Sequence, residues 1–531
     1  MRISKFILLF SLTVLMLVPP GCRPRTAPQY DTFLTPRGEN IRPTDPIGWT
    51  STDAASERVS TLVFNKLVKK DEKFDYVGEL ASDIKRSDDG LTFTFTLHDG
   101  VKFHDGRAFS SADAKYTLDL LLANSFAKSA SFFEGTGPQK TGLIKSVEAP
   151  DPKTLVVTLV KPWVGLLSNL VAIPIIAKDS YESQKTHPMG TGPFKFINYD
   201  NQQQVVDLEA FAEYWEGAPK LPKVRVRVLP DMNQLQSEIQ AGRVDMAPMP
   251  TSLQPDAIKR METDPNLQVK AFTGSNVVLL TINTTSAPLD NVKVREAIAH
   301  SIDRQTIINT LVAGYGKVAH SIIPEESWSY TPGQTYAYDP AAAKTLLDEA
   351  GFRDPDGDGP RMRFDKPIRY GLSGSSIAGR NYAVVIQNQL KEVGIPLEIQ
   401  TYEGTTLFDE MRRGNFQIGY SQWVGGNQDP IFYKDLFATS EIPTEKRPAR
   451  NRSRYSNPEL DKLVDEAVNT SDRARASELY KQIQEIVSRD VPAFPLWYQS
   501  NIVIARKNVG NIQVNASGDW GFVKNLTREG Q

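Results

Sequence analysis

The sequence predicts an α/β protein, on three observations. Segments with the two-residue period of strands alternate with segments that carry helical caps and helical spacing. A strand–helix–strand unit occurs twice, about 170 residues apart. The composition is that of an ordered chain, with 531 residues, 40% hydrophobic and 23% charged, enough for at least two cores. At roughly 100–200 residues per domain this length gives three or four domains. The 35 Gly and 35 Pro are too few for a collagen-like or low-complexity chain.

The elements follow in order. Phe33 to Pro46 reads as an irregular lead-in, and Glu57 to Leu67 as a helix. Leu91, Phe93, Phe95 and Leu97 alternate with Thr92, Thr94 and Thr96, the signature of a half-buried strand. Ser110 with Asp113 forms a capping-box start, followed by Ala114, Leu118, Leu121 and Leu122 on one helical face. Leu155 to Val160 is another strand, and Val224, Val226 and Val228 alternate with Arg225 and Arg227 in a third. Asp339-Pro340 and Asn457-Pro458 each place an N-cap before Pro at the first helical position, and Gly351 stops the first of these helices. Ser471 or Asp472 opens a long helix with Leu479, Ile483, Ile486 and Val487 on one side; Pro492 and Pro495 end it.

The repeated unit bears on architecture. Val224–Val228, a helix around Leu235 to Ile239, and Gly242 to Met246 form one copy. Leu397–Thr401, a helix around Leu407 to Met411, and Gly414 to Ile418 form the other. Each helix ends at Gly, the residue that tolerates a left-handed stop. The repeat suggests two similar lobes; the alternative is the βαβ repetition of any α/β protein. In open α/β sheets the carboxyl ends of strands face a ligand crevice. Those ends are Ala247-Pro248-Met249 and Ser421-Gln422-Trp423, so facing lobes would make a cleft that closes by a hinge.

Charge and cysteine content exclude several classes. Lys plus Arg number 61 against 63 Asp plus Glu, a net charge of −2, and no basic block marks a nucleic-acid partner. One Cys allows no intramolecular disulfide and no zinc site built on several thiolates. Arg2 and Lys5 precede an apolar run from Phe6 to Val18, broken only by Ser11 and Thr13. That run is too short for the roughly 30 Å of a bilayer core and reads as a secretory signal. Cys22, the lone cysteine, stands at the break after Gly21. This is similar to a bacterial lipoprotein signal, in which the Cys thiol is lipidated, although Pro19 and Pro20 depart from its usual residues. Ordinary secretion with a stray thiol is the alternative.

Catalytic signals are weak. The five His (His98, His104, His187, His300 and His320) include no pair at zinc-helix spacing. Gly371-Leu372-Ser373-Gly374-Ser375 misses the nucleophile elbow, because Ser375 stands where Gly is needed. Gly314-Tyr315-Gly316-Lys317 lacks the remainder of a phosphate loop, and no cofactor fingerprint occurs. Asp354, Asp356 and Asp358, with Gly359 and then Asp365, follow the spacing of a calcium loop, with Asp where the usual last ligand is Glu. Such a turn also stands without metal, held by its own side chains. A calcium ion there would be structural. Trp423 at a strand's carboxyl end, followed by Val424-Gly425-Gly426-Asn427, is the better ligand clue, since Gly permits close backbone approach.

These segments, taken together, resemble the family 5 extracellular solute-binding proteins, the peptide- and nickel-binding components of ABC importers. Leu91–Leu97, Gly100-Val101-Lys102-Phe103-His104-Asp105-Gly106 and Ala112-Asp113-Ala114 look like the family signature. Gly190-Thr191-Gly192-Pro193-Phe194, Tyr214-Trp215, Val294-Arg295-Glu296-Ala297, Ile302-Asp303-Arg304, Tyr338-Asp339-Pro340, Tyr455-Ser456-Asn457-Pro458 and Pro495-Leu496-Trp497 match later landmarks. The resemblance implies a two-lobed periplasmic-binding-protein fold, type II-like with an extra subdomain, whose two crossovers form a hinge near Thr273–Asn283 and Pro495–Asn501. It divides the chain into a signal peptide at 1–21, a lipid-anchored tether at 22–29, lobe I at 30–48, 184–281 and 497–531, an inserted subdomain at 49–183, and lobe II at 282–496.

The same resemblance implies the ligand contacts. Gln422, Trp423 and Val424 match the stretch whose backbone pairs with a peptide, with Gly425, Gly426 and Asn427 beside it. Asp53-Ala54 looks like the facing segment, and Trp497 lies near the second crossover. Met249 ends the corresponding strand of the first unit. Peptide binders carry an Asp for the ligand ammonium where this chain has Gly426; Asp429 could substitute only if the loop shifts. The expected protein is a monomeric, membrane-anchored lipoprotein of the periplasm or cell envelope. It binds a peptide or peptide-like solute, needs no cofactor, and delivers the solute to an inner-membrane ABC permease without covalent chemistry. A sugar, an amine or a metal chelate, for import or signalling, is the alternative solute, and a hydrolase on the same scaffold a further one.

Overall fold

Two mixed sheets organise the chain, and each grows from a parallel triplet. The structure, a computed structural model, describes residues 31–35, 54–134, 140–163, 165–229, 231–250, 253–354, 363–374, 376–425, 428–445, 447, 449–470 and 472–529, with the backbone alone at 31–35, 54–55 and 404. The seven-stranded sheet runs Phe194–Asp200, Val205–Ala210, Lys223–Val228, Asp31–Thr35, Met246–Pro248, Asn501–Arg506, Leu267–Phe272. The six-stranded sheet runs Gly316–Val318, Ala493–Gln499, Val277–Ile282, Ile418–Trp423, Ile368–Ser373, Leu397–Tyr402.

The repeated unit builds the same motif in both sheets. Lys223–Val228, helix Met232–Gln240 and Met246–Pro248 form one copy, with Asp31–Thr35 inserted between its two strands and parallel to both. Leu397–Tyr402, helix Gly404–Arg413 and Ile418–Trp423 form the other, with Ile368–Ser373 inserted in the same way. Gly242 and Gly414 have φ of 75° and 82°, the left-handed stops that Gly supplies. The expected irregular lead-in at Phe33 is corrected at its start, because residues 31–35 form a strand. Five residues with no alternation give no local signal; parallel neighbours on both sides make the strand. Residues 36–46 lie outside the described part.

Each triplet is extended by antiparallel strands that carry the chain across. Leu267–Phe272 and Asn501–Arg506 pair in the first sheet, and Val277–Ile282 and Ala493–Gln499 pair in the second. The chain therefore leaves one sheet for the other at 273–276 and returns at Ser500. A separate antiparallel sheet, Ala81–Arg86, Thr92–Leu97, Thr154–Leu159, Ile144–Asp151, packs on helix Ser111–Ala123. Its Phe93, Phe95, Leu97, Leu155, Val157 and Leu159 are buried, as the alternation demands.

The helices start where their caps are written. The Ser110 amide donates to Asp113 Oδ2 at 2.8 Å. Asp339 Oδ1 accepts from the amides of Ala341 and Ala342 at 3.0 and 2.9 Å, opening helix Pro340–Glu349. Asn457 and Asp472 cap Pro458–Asn469 and Arg473–Asp490 in the same manner. The landmark segments act as internal staples. Asn65 Oδ1 accepts from Thr191 Oγ1 at 3.1 Å and Trp215 Nε1 at 3.2 Å. A Cβ on Gly192 would stand 2.5 Å from the Val63 carbonyl carbon, so only Gly fits that approach. Arg304, buried, donates to the carbonyls of Ala319, Pro495 and Tyr336 at 2.5, 3.0 and 2.8 Å. Arg295 does the same for Leu289 and Asp490, both at 2.8 Å.

Candidate functional site

The region between the sheets is built from crossovers, a strand end and a hairpin. At the crossovers the two chain segments lie in contact: the Gln499 amide donates to Asn276 O at 2.9 Å, and a Cβ on Gly274 would stand 2.0 Å from Gln499 O. Asn501 Nδ2 ties the same point to Asn515 O at 2.9 Å. Few residues lie at this junction to absorb any rotation.

Ile418–Trp423 presents an open edge. On one side it pairs along its length with Val277–Ile282, from Ile418↔Ile282 to Trp423↔Val277. On the other it meets Ile368–Ser373 only at Ile418 and Gly419. Among the described residues the backbone from Tyr420 to Trp423 has no strand against that second side. Gln422 reaches the crossover, its Nε2 donating to Gln499 Oε1 at 2.5 Å. The Trp423 ring, partly exposed, packs edge-on against Phe432 at 4.8 Å. Behind it Leu279, Phe437, Arg450 and Arg452 line a cavity of about 10 Å³, room for roughly one water. Val424, a large apolar side chain, is 62% exposed, and Gly425 follows at φ 74°.

The other residues singled out from the sequence are distributed unevenly. Gly426, Asn427 and Asp53 lie outside the described part, and Ala54 begins helix Ala54–Val63. Met249 is buried at φ 51°, its amide donating to Ile502 O at 2.6 Å, beside Gly518. Trp497 is fully buried, packed edge-on against Tyr382 at 4.9 Å in the hydrophobic core. Asp429, considered as a partner for a ligand ammonium, is engaged within the protein. Its Oδ1 accepts from the Ile431 amide at 2.9 Å and its Oδ2 from the Tyr76 hydroxyl.

That contact exposes residues that sequence reasoning missed. Tyr76 belongs to a hairpin, Val68–Lys70 with Tyr76–Gly78, in which Lys70 and Tyr76 are directly opposite. Lys70 Nζ donates to Gln428 Oε1 at 3.3 Å, and Gln428 Nε2 donates to Ser275 Oγ at 2.9 Å in the crossover. Burial lowers the Lys70 ammonium below its ordinary pKa, partly offset by Asp429. Burial and Asp429 together hold the Tyr76 phenol well above its own. The hairpin turn is pinned by Arg473, which pairs with Asp75 at 2.5 Å and stacks 3.2 Å over the Trp328 ring. The Trp328 amide donates to Lys73 O at 3.2 Å. The Tyr76–Asp429, Lys70–Gln428 and Asp75–Arg473 pairings join residues more than 350 positions apart, and no local pattern announces them.

The remaining candidates are packing groups. His98 lies against Trp215, with ring centres 4.8 Å apart. His104 Nε2 meets Gly192 O at 3.0 Å, and burial brings its pKa down to about 4. Ser373 ends strand Ile368–Ser373, and Ser376 caps helix Ile377–Glu392 through the Gly379 amide at 3.1 Å. Of the calcium-loop residues, Asp356 and Asp358 lie outside the described part. Among the described residues no three His, Cys, Asp or Glu side chains gather as a metal site. No helix among them is long and apolar enough to cross a membrane.

Comparison with known proteins meets the same architecture. Residues 75–444 match the model of the bacterial extracellular solute-binding proteins, family 5 Middle. The chain is 31% identical to heme-binding protein A of Haemophilus influenzae, across 88% of this chain and 86% of that one. It is 29% identical to the oligopeptide-binding protein AppA of Bacillus subtilis, across 88% and 87%. The solved structure of NikA from Brucella suis in complex with Fe(III)-EDTA superposes with a TM-score of 0.80 at 24% identity, covering 94% of this chain and all of that one, a likeness of fold. The two sheets are the two lobes of that fold, and the chain is a binding protein rather than an enzyme. It belongs to the bacterial extracellular solute-binding proteins of family 5.

Proposed function

We propose that this chain is the solute receptor of an ABC importer, capturing a peptide or peptide-like solute between its lobes and delivering it to a membrane permease. The observation that carries the reading is the open edge from Tyr420 to Trp423. An extended ligand laid on that edge gains main-chain hydrogen bonds whatever its side chains, which suits a receptor for many sequences. Trp423 and Val424 supply apolar surface beside the edge, Gln422 a polar contact, and Gly425 room for the ligand backbone. The name of AppA, an oligopeptide-binding protein, agrees with this.

The lobes divide as lobe I at 30–48, 184–281 and 497–531, the inserted subdomain at 49–183 and lobe II at 282–496. The first 21 residues serve as a secretory signal, and Cys22 carries a lipid that holds the receptor at the envelope. Several acyl chains, at about 0.8 kcal/mol for each buried methylene, suffice for that. A non-peptide solute is the second reading, favoured by the 31% identity to a protein named for binding heme.

Titration calorimetry with pools of two- to five-residue peptides, glutathione and heme tests the proposal. A peptide-like ligand is expected to bind, and Trp423→Ala to weaken it at least tenfold while the unfolding midpoint stays near that of the parent. Heme binding alone would establish the second reading, and binding by no pool would remove the receptor function.

A further inference from the structure

The corner between the hairpin and the loop after Trp423 is already complete in charge. Both Asp429 oxygens are committed, one to the Ile431 amide and one to Tyr76. The Asp429 charge acts favourably on the Lys70 ammonium, and Lys66, a second cation, acts against it. A solute ammonium entering here would meet like charge, and the Asp429 oxygens it would seek already accept from the Ile431 amide and the Tyr76 hydroxyl. Lys70 has three N–H donors, and Gln428 takes one at 3.3 Å. Among the described residues Lys70 therefore has N–H donors beyond the one that Gln428 takes. Its place fits a solute laid on the open edge. Gln428 and Asp429 follow that strand by a few residues, and Gln428 continues to Ser275 in the crossover. The Arg473–Asp75 pair, with Arg473 stacked on Trp328, fixes the hairpin that carries Lys70.

Resting on the receptor reading above, we propose that Lys70 supplies this corner's cation from the protein itself, so that the receptor takes solutes presenting an oxygen acceptor there, a carbonyl or a carboxylate, and discriminates against a free ammonium. Lys70 is thus a specificity-determining residue, and Asp429 a positioning residue that acts through it and Tyr76.

The test compares one tri- to pentapeptide pool in three forms: with a free amino end, N-acetylated to present a carbonyl, and N-succinylated to present a carboxylate. Affinities are measured for the parent protein and for Lys70→Met and Lys70→Arg. In the parent, the acetylated or succinylated form binds at least as tightly as the free amine, and the tighter of the two identifies the acceptor. Lys70→Met shifts the ratio at least tenfold toward the free amine, because the Asp429 charge then lacks its cation. Lys70→Arg keeps the parental ratio, which separates charge from mere folding. A parent that binds the free amine tenfold more tightly, or a Lys70→Met protein with an unchanged ratio, overturns the assignment. Failure of all three forms to bind the parent removes the receptor reading itself, and the assignment with it.

Discussion

His104 illustrates how a residue that looks chemical becomes structural. It sits in a landmark segment, its ring edge-on to Phe211 at 5.2 Å and its Nε2 on Gly192 O. Burial brings its pKa from 6.5 to about 4. The unfolded chain therefore takes up a proton below about pH 6.5 that the folded chain refuses until about pH 4. Stability from this group is full above pH 6.5 and falls as pH drops through that window, by about 3 kcal/mol in total. Urea unfolding from pH 7 to 4 should show His104→Gln losing less stability across the window than the parent; equal losses would show that the imidazole is not buried. The tryptophans show the limit of reading at this scale. Trp423 and Trp497 were both singled out as ligand contacts, yet one borders the open edge and the other is core. The difference is which face of a strand each occupies, and that depends on neighbours distant in sequence. Lys70 was less legible still, since its partner Gln428 lies 358 positions away.

At the scale of elements, local physics wrote most of the helices and the alternating strands. Asp339, Asn457 and Asp472 each cap the helix they precede, and the Thr-interleaved strand buries its Phe93, Phe95 and Leu97. Asp339→Ala leaves the amides of Ala341 and Ala342 without their acceptor and should cost about 1 kcal/mol, seen as a lower urea midpoint with an unchanged slope. Strand Asp31–Thr35 escaped because its stability comes from two parallel partners, Lys223–Val228 and Met246–Pro248. The same arrangement in the second sheet explains why the repeated unit was visible and the place of a third strand inside it was not. Ile368–Ser373 enters from elsewhere in the chain and completes the motif only in space.

At the scale of the molecule, two sheets exchange strands through a short joint. The residues at that joint have little freedom: the backbone at Gly274 lies so close to Gln499 O that a Cβ has no place. Gly274→Ala should force the two crossover segments apart, costing about 2 kcal/mol of stability and changing the small-angle scattering profile; an unaltered profile and midpoint would show that the contact is soft. The two-lobed plan was legible through the repeat and the resemblance, whereas the contacts that Lys70, Tyr76 and Arg473 make between distant segments were not. They depend on how a hairpin from one part of the chain meets a loop from another. The central claim is that a solute lies between the lobes as an added strand. A crystal structure of the protein with a bound acetylated peptide tests it most directly. The account predicts an extended ligand whose backbone hydrogen bonds run along Tyr420 to Val424, with an oxygen near Lys70 Nζ. A ligand seated elsewhere, or one making no main-chain bonds to that edge, would contradict it.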